Sequence, residues 1–188
     1  CSLAYVGIEF KFSDKEDLYN KLSLSFNNIE KFNNIFNLNE DPLKARIERG
    51  ETKFLEFKES FSLDVRKIAE DPNYFPIKEK YLKDVCIKTI AGFMNAEGGE
   101  LLIGIKDHPI EITGIEKELE ILYESEDQIK IQITDFIESL IEPQFSNLID
   151  LDIIEIEEKK IIQILCKKAS KPILVKADGI YKDFWKRS

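Results

Sequence analysis

The sequence has a single histidine, His108, among 188 residues. Within one chain this excludes metal sites built on two histidines. A Ser-His-Asp triad would have to use His108 itself, beside Pro109 in a turn. Cysteine is also scarce: Cys1, Cys86 and Cys166 are odd in number, far apart and without a CxxC pair. That argues against a zinc site and a disulfide framework and fits a reducing cytoplasm. No apolar run approaches the roughly 20 residues of a membrane helix, so a membrane partner is not expected. The chain begins at Cys1 rather than Met, which suggests that a start was removed or that the sequence is an excised piece. A lipid-modified cysteine would need a signal segment. If the protein is an enzyme, these absences leave carboxylates, lysines and a metal as its tools.

Positive charge is in overall deficit, with 27 Lys and Arg against 36 Asp and Glu. Its distribution is uneven. Residues 159–188 hold nine Lys or Arg and two Asp, a net of +7, which leaves −16 on residues 1–158. Such asymmetry fits a basic contact surface on an acidic protein, with Lys171, Lys176 and Lys182 as its cations. At its end, "DFWKRS" places Lys186 and Arg187 directly after Phe184 and Trp185. Rings that stack on bases and cations that meet phosphates give nucleic-acid-binding segments this interleaving. An edge strand that buries its aromatics and solvates its lysines has the same pattern.

With 43% hydrophobic and 34% charged residues, the composition is that of a globular chain, long enough for one domain or a domain plus an extension. Residues 1–38 are Asn-, Phe- and Lys-rich and differ from the rest, and residues 1–47 read as an N-terminal extension. "SLAYVGIEFKF" is consistent with a strand, the stretch after Ser13 or Asp14 with a helix, and "NNIEKFNNIFNLN" with a weak helix and loop. Asp41, Pro42 and Gly50 frame a short helix. A strand over 51–58 follows, then a long loop over 60–77. A helix over 78–95 places Leu82, Val85, Cys86, Ile90 and Phe93 near one face. "ELLIGIKD" reads as a strand buried on both faces. A turn over 108–114 and an acidic segment over 116–127 lead to a helix over 127–141, stopped by Pro143. Two strands joined near Glu157–Lys160, and two short strands around Asp178-Gly179, complete the pattern. This order predicts an α+β domain with a mixed sheet.

"GETKFLEFKES", residues 50–60, threads Glu51, Glu56, Lys53 and Lys58 through a strand pattern. Strand parity sets Glu56 with Phe54 and Lys58 on one face, and Leu55 with Phe57 on the other. Apolar residues on both sides imply that Glu56 is partly buried, and a buried carboxylate needs a partner, a metal or a raised pKa. Read alone, a Glu56–Lys58 salt bridge is the simpler account. Glu51, next to Gly50, can turn back toward the same place. Asp107, at the end of a buried strand, stands where a metal ligand or a turn-forming aspartate would. The Gly98-Gly99 pair is neither GxGxxG nor a P-loop, so nucleotide binding there is the weakest option.

Taken in order, "ETKFLEFKES", "IKTIAGFMNAEGGELLIGIKD", "ITGIE", "KPILVK" and "IYKDFWKRS" resemble the AlbA-like domain of the Schlafen family, over about residues 48–188. Bacterial members are labelled DNA-binding or ATP-binding. The resemblance implies one α+β lobe, a twisted mixed sheet with packed helices. Animal Schlafens pair two such lobes in a U-shaped nucleic-acid-binding body, so a homodimer would provide a comparable groove here. Some members are metal-dependent endoribonucleases that cut transfer and ribosomal RNA at three carboxylates. The resemblance carries those roles to Glu51, Glu56 and Asp107, as ligands of Mg²⁺ or Mn²⁺, with Lys58 at the scissile phosphate. It favours RNA over DNA. The competing implication is a non-catalytic DNA-binding regulatory module, or an ATP-binding module, of a larger protein. Two departures stand out. The family's second acidic residue after the strand is here His108, and the final block stops at Ser188, which suggests truncation.

Overall fold

A computed structural model of the chain describes residues 2–5, 8–11, 42–177 and 179–186. The helices expected after Ser13 and over the Asn-rich stretch lie outside these residues. The chain divides into two compact units, Cys1–Arg46 and Ile47–Ser188. In the first, the stretch expected as one strand is an antiparallel hairpin of β1 (Ser2–Tyr5) and β2 (Ile8–Lys11). Helix α1 follows over Pro42–Glu48.

The second unit is built on a four-stranded sheet in the order β3 (Leu55–Lys58), β4 (Gly99–Ile103), β8 (Lys159–Cys166), β7 (Ile149–Ile156). β3 and β4 run parallel, and the other two pairings are antiparallel, so the sheet is mixed and the α+β class holds. β5 (Ile105–Lys106) and β6 (Glu111–Ile112) form a small hairpin, and β9 (Leu174–Ala177) pairs with β10 (Ile180–Phe184). The expected single strand over 100–107 therefore breaks at Gly104, whose φ of +103° favours glycine.

The main core lies on one sheet face. Leu101 and Ile103 of β4 and Ile162 and Ile164 of β8 meet α3 (Lys80–Met94) and α5 (Glu126–Leu140). Ile129, Ile133 and Ile137 recur every fourth residue along α5 and are all buried, each burial stabilising by about 2 kcal/mol. On α3 the buried residues crowd into the second half, where Cys86, Ile87, Ile90, Ala91, Phe93 and Met94 pack. Val85, expected on the buried face, is exposed, since burial along α3 begins only at Cys86.

Two segments read as irregular contain helices. α2 (Val65–Glu70) interrupts the expected 60–77 loop, and α4 (Glu116–Leu122) forms within the acidic run. α2 starts at Asp64, whose carboxylate accepts from the Lys67 N–H at 3.0 Å.

Candidate functional site

The expected strand over 51–58 is shorter. Thr52 and Leu55 exchange backbone hydrogen bonds of 2.9 and 3.3 Å, closing a turn before β3 begins. The turn carries Glu51 back alongside Phe57. β3 is the outer strand of the sheet, and its Phe54 and Lys58 carbonyls accept from β4-side N–H groups, each at 2.8 Å. Alternation then aims the Phe57 N–H and C=O at the open edge. Both are satisfied by charged side chains: Glu51 Oε1 accepts the N–H at 2.8 Å, and Lys58 Nζ donates to the C=O at 2.8 Å. The same ammonium donates to Glu56 Oε1 at 2.6 Å. Edge strands need such blocking, and this supplies a local structural account of the E-x4-E-F-K pattern.

The expected parity holds. Leu55 and Phe57 are buried on one face, while Glu56 and Lys58 lie opposite, in register with Leu101 and Ile103 on the helix-covered side. Their side chains are 17% and 25% exposed. The pair is thus largely desolvated, which raises the penalty for breaking it from one side.

Asp107 follows β5 at the far end of the same edge and pairs with the His108 imidazole. It joins Glu51, Glu56 and Lys58 in lining one cleft of about 290 Å³. The cleft also takes in Glu59, Lys106 and Arg66, which the sequence reading did not single out. Arg66 was missed because α2 was read as loop; the Asp64 cap was the available signal. Among the described residues, no three His, Cys, Asp or Glu side chains are grouped to hold a metal ion. The three expected carboxylates therefore share a cleft without gathering around one point, and Glu56 has an ammonium as its counter-ion.

The wall that carries Arg66 is held from beneath. Glu118 of α4, only 2% exposed, accepts from the N–H groups of Phe61 and Ser62 at 2.9 and 2.6 Å and from Ser62 Oγ at 2.8 Å. The Tyr123 hydroxyl shares Ser62 Oγ at 2.8 Å. Burial pushes the Glu118 carboxyl above the ordinary range despite these donors. Asp64 is bound by the Tyr81 hydroxyl. That bond and burial raise the Tyr81 phenol to about 12. For Asp64 itself burial works upward, but its bonds to Tyr81 and Lys67 outweigh it and hold the carboxyl low.

The glycine pair does not form an open phosphate cradle. A Cβ on Gly98, at φ +86°, would stand 2.7 Å from the Cys166 carbonyl, and one on Gly99 would run into the Phe93 ring. Close packing against the neighbouring chain accounts for both glycines.

The basic residues near the chain's end divide. Lys171 is exposed before β9, Lys176 is half-buried on β9, and Lys186 is exposed after β10. The Asn95 amide at the end of α3 donates to the Trp185 carbonyl at 2.7 Å, which ties this segment to the helix. Arg187 and the Lys182 side chain lie outside the described residues.

Residues 51–188 match the family described as Schlafen, AlbA_2. No curated protein matches the sequence. Solved structures that resemble the chain include the following two. The DIP2311 protein of Corynebacterium diphtheriae is 21% identical with a TM-score of 0.46, covering 66% of this chain, which spans 19% of that protein's length. The N-terminal domain of a protein from Nitrosomonas europaea, named as ATP-dependent DNA helicase RecG-related, is 19% identical with a TM-score of 0.40, covering 56% of this chain and 71% of that domain. No helix among the described residues is long and apolar enough to cross a membrane. With the match running from Glu51 to the last residue, the chain belongs to the Schlafen AlbA_2 family, a membership that points to a nucleic-acid-binding domain.

Proposed function

We propose that this nucleic-acid-binding domain engages the phosphodiester backbone at the cleft along β3 and acts there as an endoribonuclease on structured RNA such as tRNA. One observation carries the reading. Asp107, distant in sequence, lines the same cleft as Glu51, Glu56 and Lys58, a convergence that blocking a strand edge does not require. Arg66 and Lys106 add cations to the cleft walls, and the Arg66 guanidinium offers a planar fork suited to phosphate oxygens. Mg²⁺ or Mn²⁺ is the cofactor this reading calls for: hard cations take carboxylate oxygens and would supply an activated water and charge stabilisation. Glu51 is engaged by Phe57 and Glu56 by Lys58, so a cation requires Glu56 to exchange its ammonium partner. The chain's own part is to hold the backbone with Lys58, Arg66 and Lys106. A homodimer, which would set two such clefts together, belongs to the same proposal.

The second reading is a non-catalytic DNA-binding module. The structural partners of Glu51 and Glu56 favour it. One experiment separates the two. The protein is incubated with tRNA and with duplex DNA, in Mn²⁺ or chelator, alongside Glu56→Ala and Asp107→Ala. The nuclease reading expects RNA cleavage that chelator abolishes and that falls more than about 100-fold in either variant, beyond the effect of losing an outer-shell partner. Binding of DNA without cutting by all three proteins would establish the module instead.

A further inference from the structure

A second and larger cleft lies away from the carboxylates, between α3, the end of α5 and the β9–β10 hairpin. It encloses about 570 Å³, within the range of about 300–1,000 Å³ typical of small-ligand sites. Lys88, Lys176 and Trp185 line it. Trp185 and Lys88 also line a smaller neighbouring cleft of about 220 Å³, together with Lys186. The indole is therefore a partition between two clefts, 39% exposed, with its backbone anchored by Asn95. Lys88 Nζ lies over one face of the ring, 4.7 Å from its centroid, so a base stacking on that face would displace the ammonium toward a flanking phosphate. Asp183 contributes a carboxylate to the larger cleft.

We infer that the larger cleft is a subsite for one unpaired nucleotide of a nucleic-acid strand, with Trp185 as the stacking platform and Lys88, Lys176 and Lys186 as contacts for the flanking phosphates. Each part of a nucleotide has its complement. A base presents a π-face to the indole, and the phosphates on either side meet cations on both sides of the partition. An exocyclic amino group finds an acceptor in Asp183, which favours adenine, cytosine or guanine over uracil. A rigid duplex keeps its bases stacked and cannot offer one to the indole, so the strand must be unpaired at this point. The inference rests on the nucleic-acid-binding reading but uses residues and a cleft separate from the carboxylate site.

Trp185 is the only tryptophan in the chain, so its fluorescence reports on this subsite alone. The full chain is titrated with a mixed-sequence single-stranded RNA, the same strand made abasic, a blunt duplex and a nucleoside monophosphate. Saturable quenching by the base-bearing strand is expected, with little from the abasic strand or the duplex. Trp185→Ala, checked for folding by circular dichroism and titrated against the same strand carrying a fluorescent label, should bind about ten-fold or more weakly than wild type in that assay, with Trp185→Phe between. Strand binding without quenching, or equal affinity in Trp185→Ala, overturns the subsite and leaves the proposed function standing. Failure of the wild-type chain to bind any nucleic acid overturns both. Quenching by the monophosphate but not by the strand overturns it in favour of a free nucleotide.

Discussion

Glu118 is a carboxylate almost without solvent, in a run whose composition reads as a solvated acidic surface. Its value lies in three donors from Phe61 and Ser62: the two backbone N–H groups and the Ser62 hydroxyl, which Tyr123 also contacts. Removing it as Glu118→Ala should destabilise the fold by roughly 3 kcal/mol or more, since each buried donor left unsatisfied costs about 1–3 kcal/mol. Its titration gives a signed test. The folded-state pKa is raised above the ordinary carboxylate value of 4.5. The folded protein then binds this proton more tightly than the unfolded chain does. The resulting stabilisation is full below pH 4.5 and is lost as pH rises through the folded value. Glu118→Gln removes this dependence. Thermal melts across a pH series should show wild type gaining on Glu118→Gln as the solution is acidified toward 4.5, and a constant difference would refute the linkage. Sequence could not single out Glu118, because only packing against the 60–64 turn distinguishes it from Glu116 or Glu120. Glu56 was easier: strand parity alone implied its partial burial and offered Lys58 as one partner, with a metal or a raised pKa as the other readings.

At the scale of elements, the longest pairing, β7 with β8, turns on two glutamates. Glu157 and Glu158 sit at φ of 52° and 62°, the mirror-type hairpin turn that Asn-Gly adopts most readily. Left-handed backbone costs an ordinary L-residue roughly 1–2 kcal/mol. Replacing the pair by Asn-Gly should therefore stabilise the protein by about 1–2 kcal/mol, read as a higher urea midpoint at unchanged slope. No gain would mean that contacts of the glutamates offset the strain. Most elements were legible where apolar spacing was regular, as in α5 with its isoleucines. α2 was not legible. It has six residues and buries none of them, so no periodicity marks it, and the Asp64 cap with the Tyr81 and Lys67 contacts fixes its place. That single element decided whether Arg66 entered the β3 cleft.

For the whole molecule, charge is the property that sequence and structure treat differently. A net charge of −9 opposes nucleic acid, yet Lys88, Lys176 and Lys186 stand around one aromatic wall. Binding there should weaken with salt, the logarithm of affinity falling by about 0.7 per phosphate for each unit of log salt on a single strand. Lys88→Ala combined with Lys186→Ala should lower that slope by roughly 1.4. An unchanged slope in fluorescence titrations would place the phosphate contacts elsewhere. The sequence by itself determined the α+β class, the order of most strands and helices, the face that Glu56 occupies and the family resemblance, because these depend on short-range periodicity and on letters in order. The return of Glu51 toward β3 was legible from Gly50 beside it, whereas only the tertiary structure decided that Asp107 lines the same cleft and that Lys88 of a core helix meets Trp185. Those are contacts between residues far apart in the chain, set by how the sheet and helices close on one another, and no local pattern encodes them.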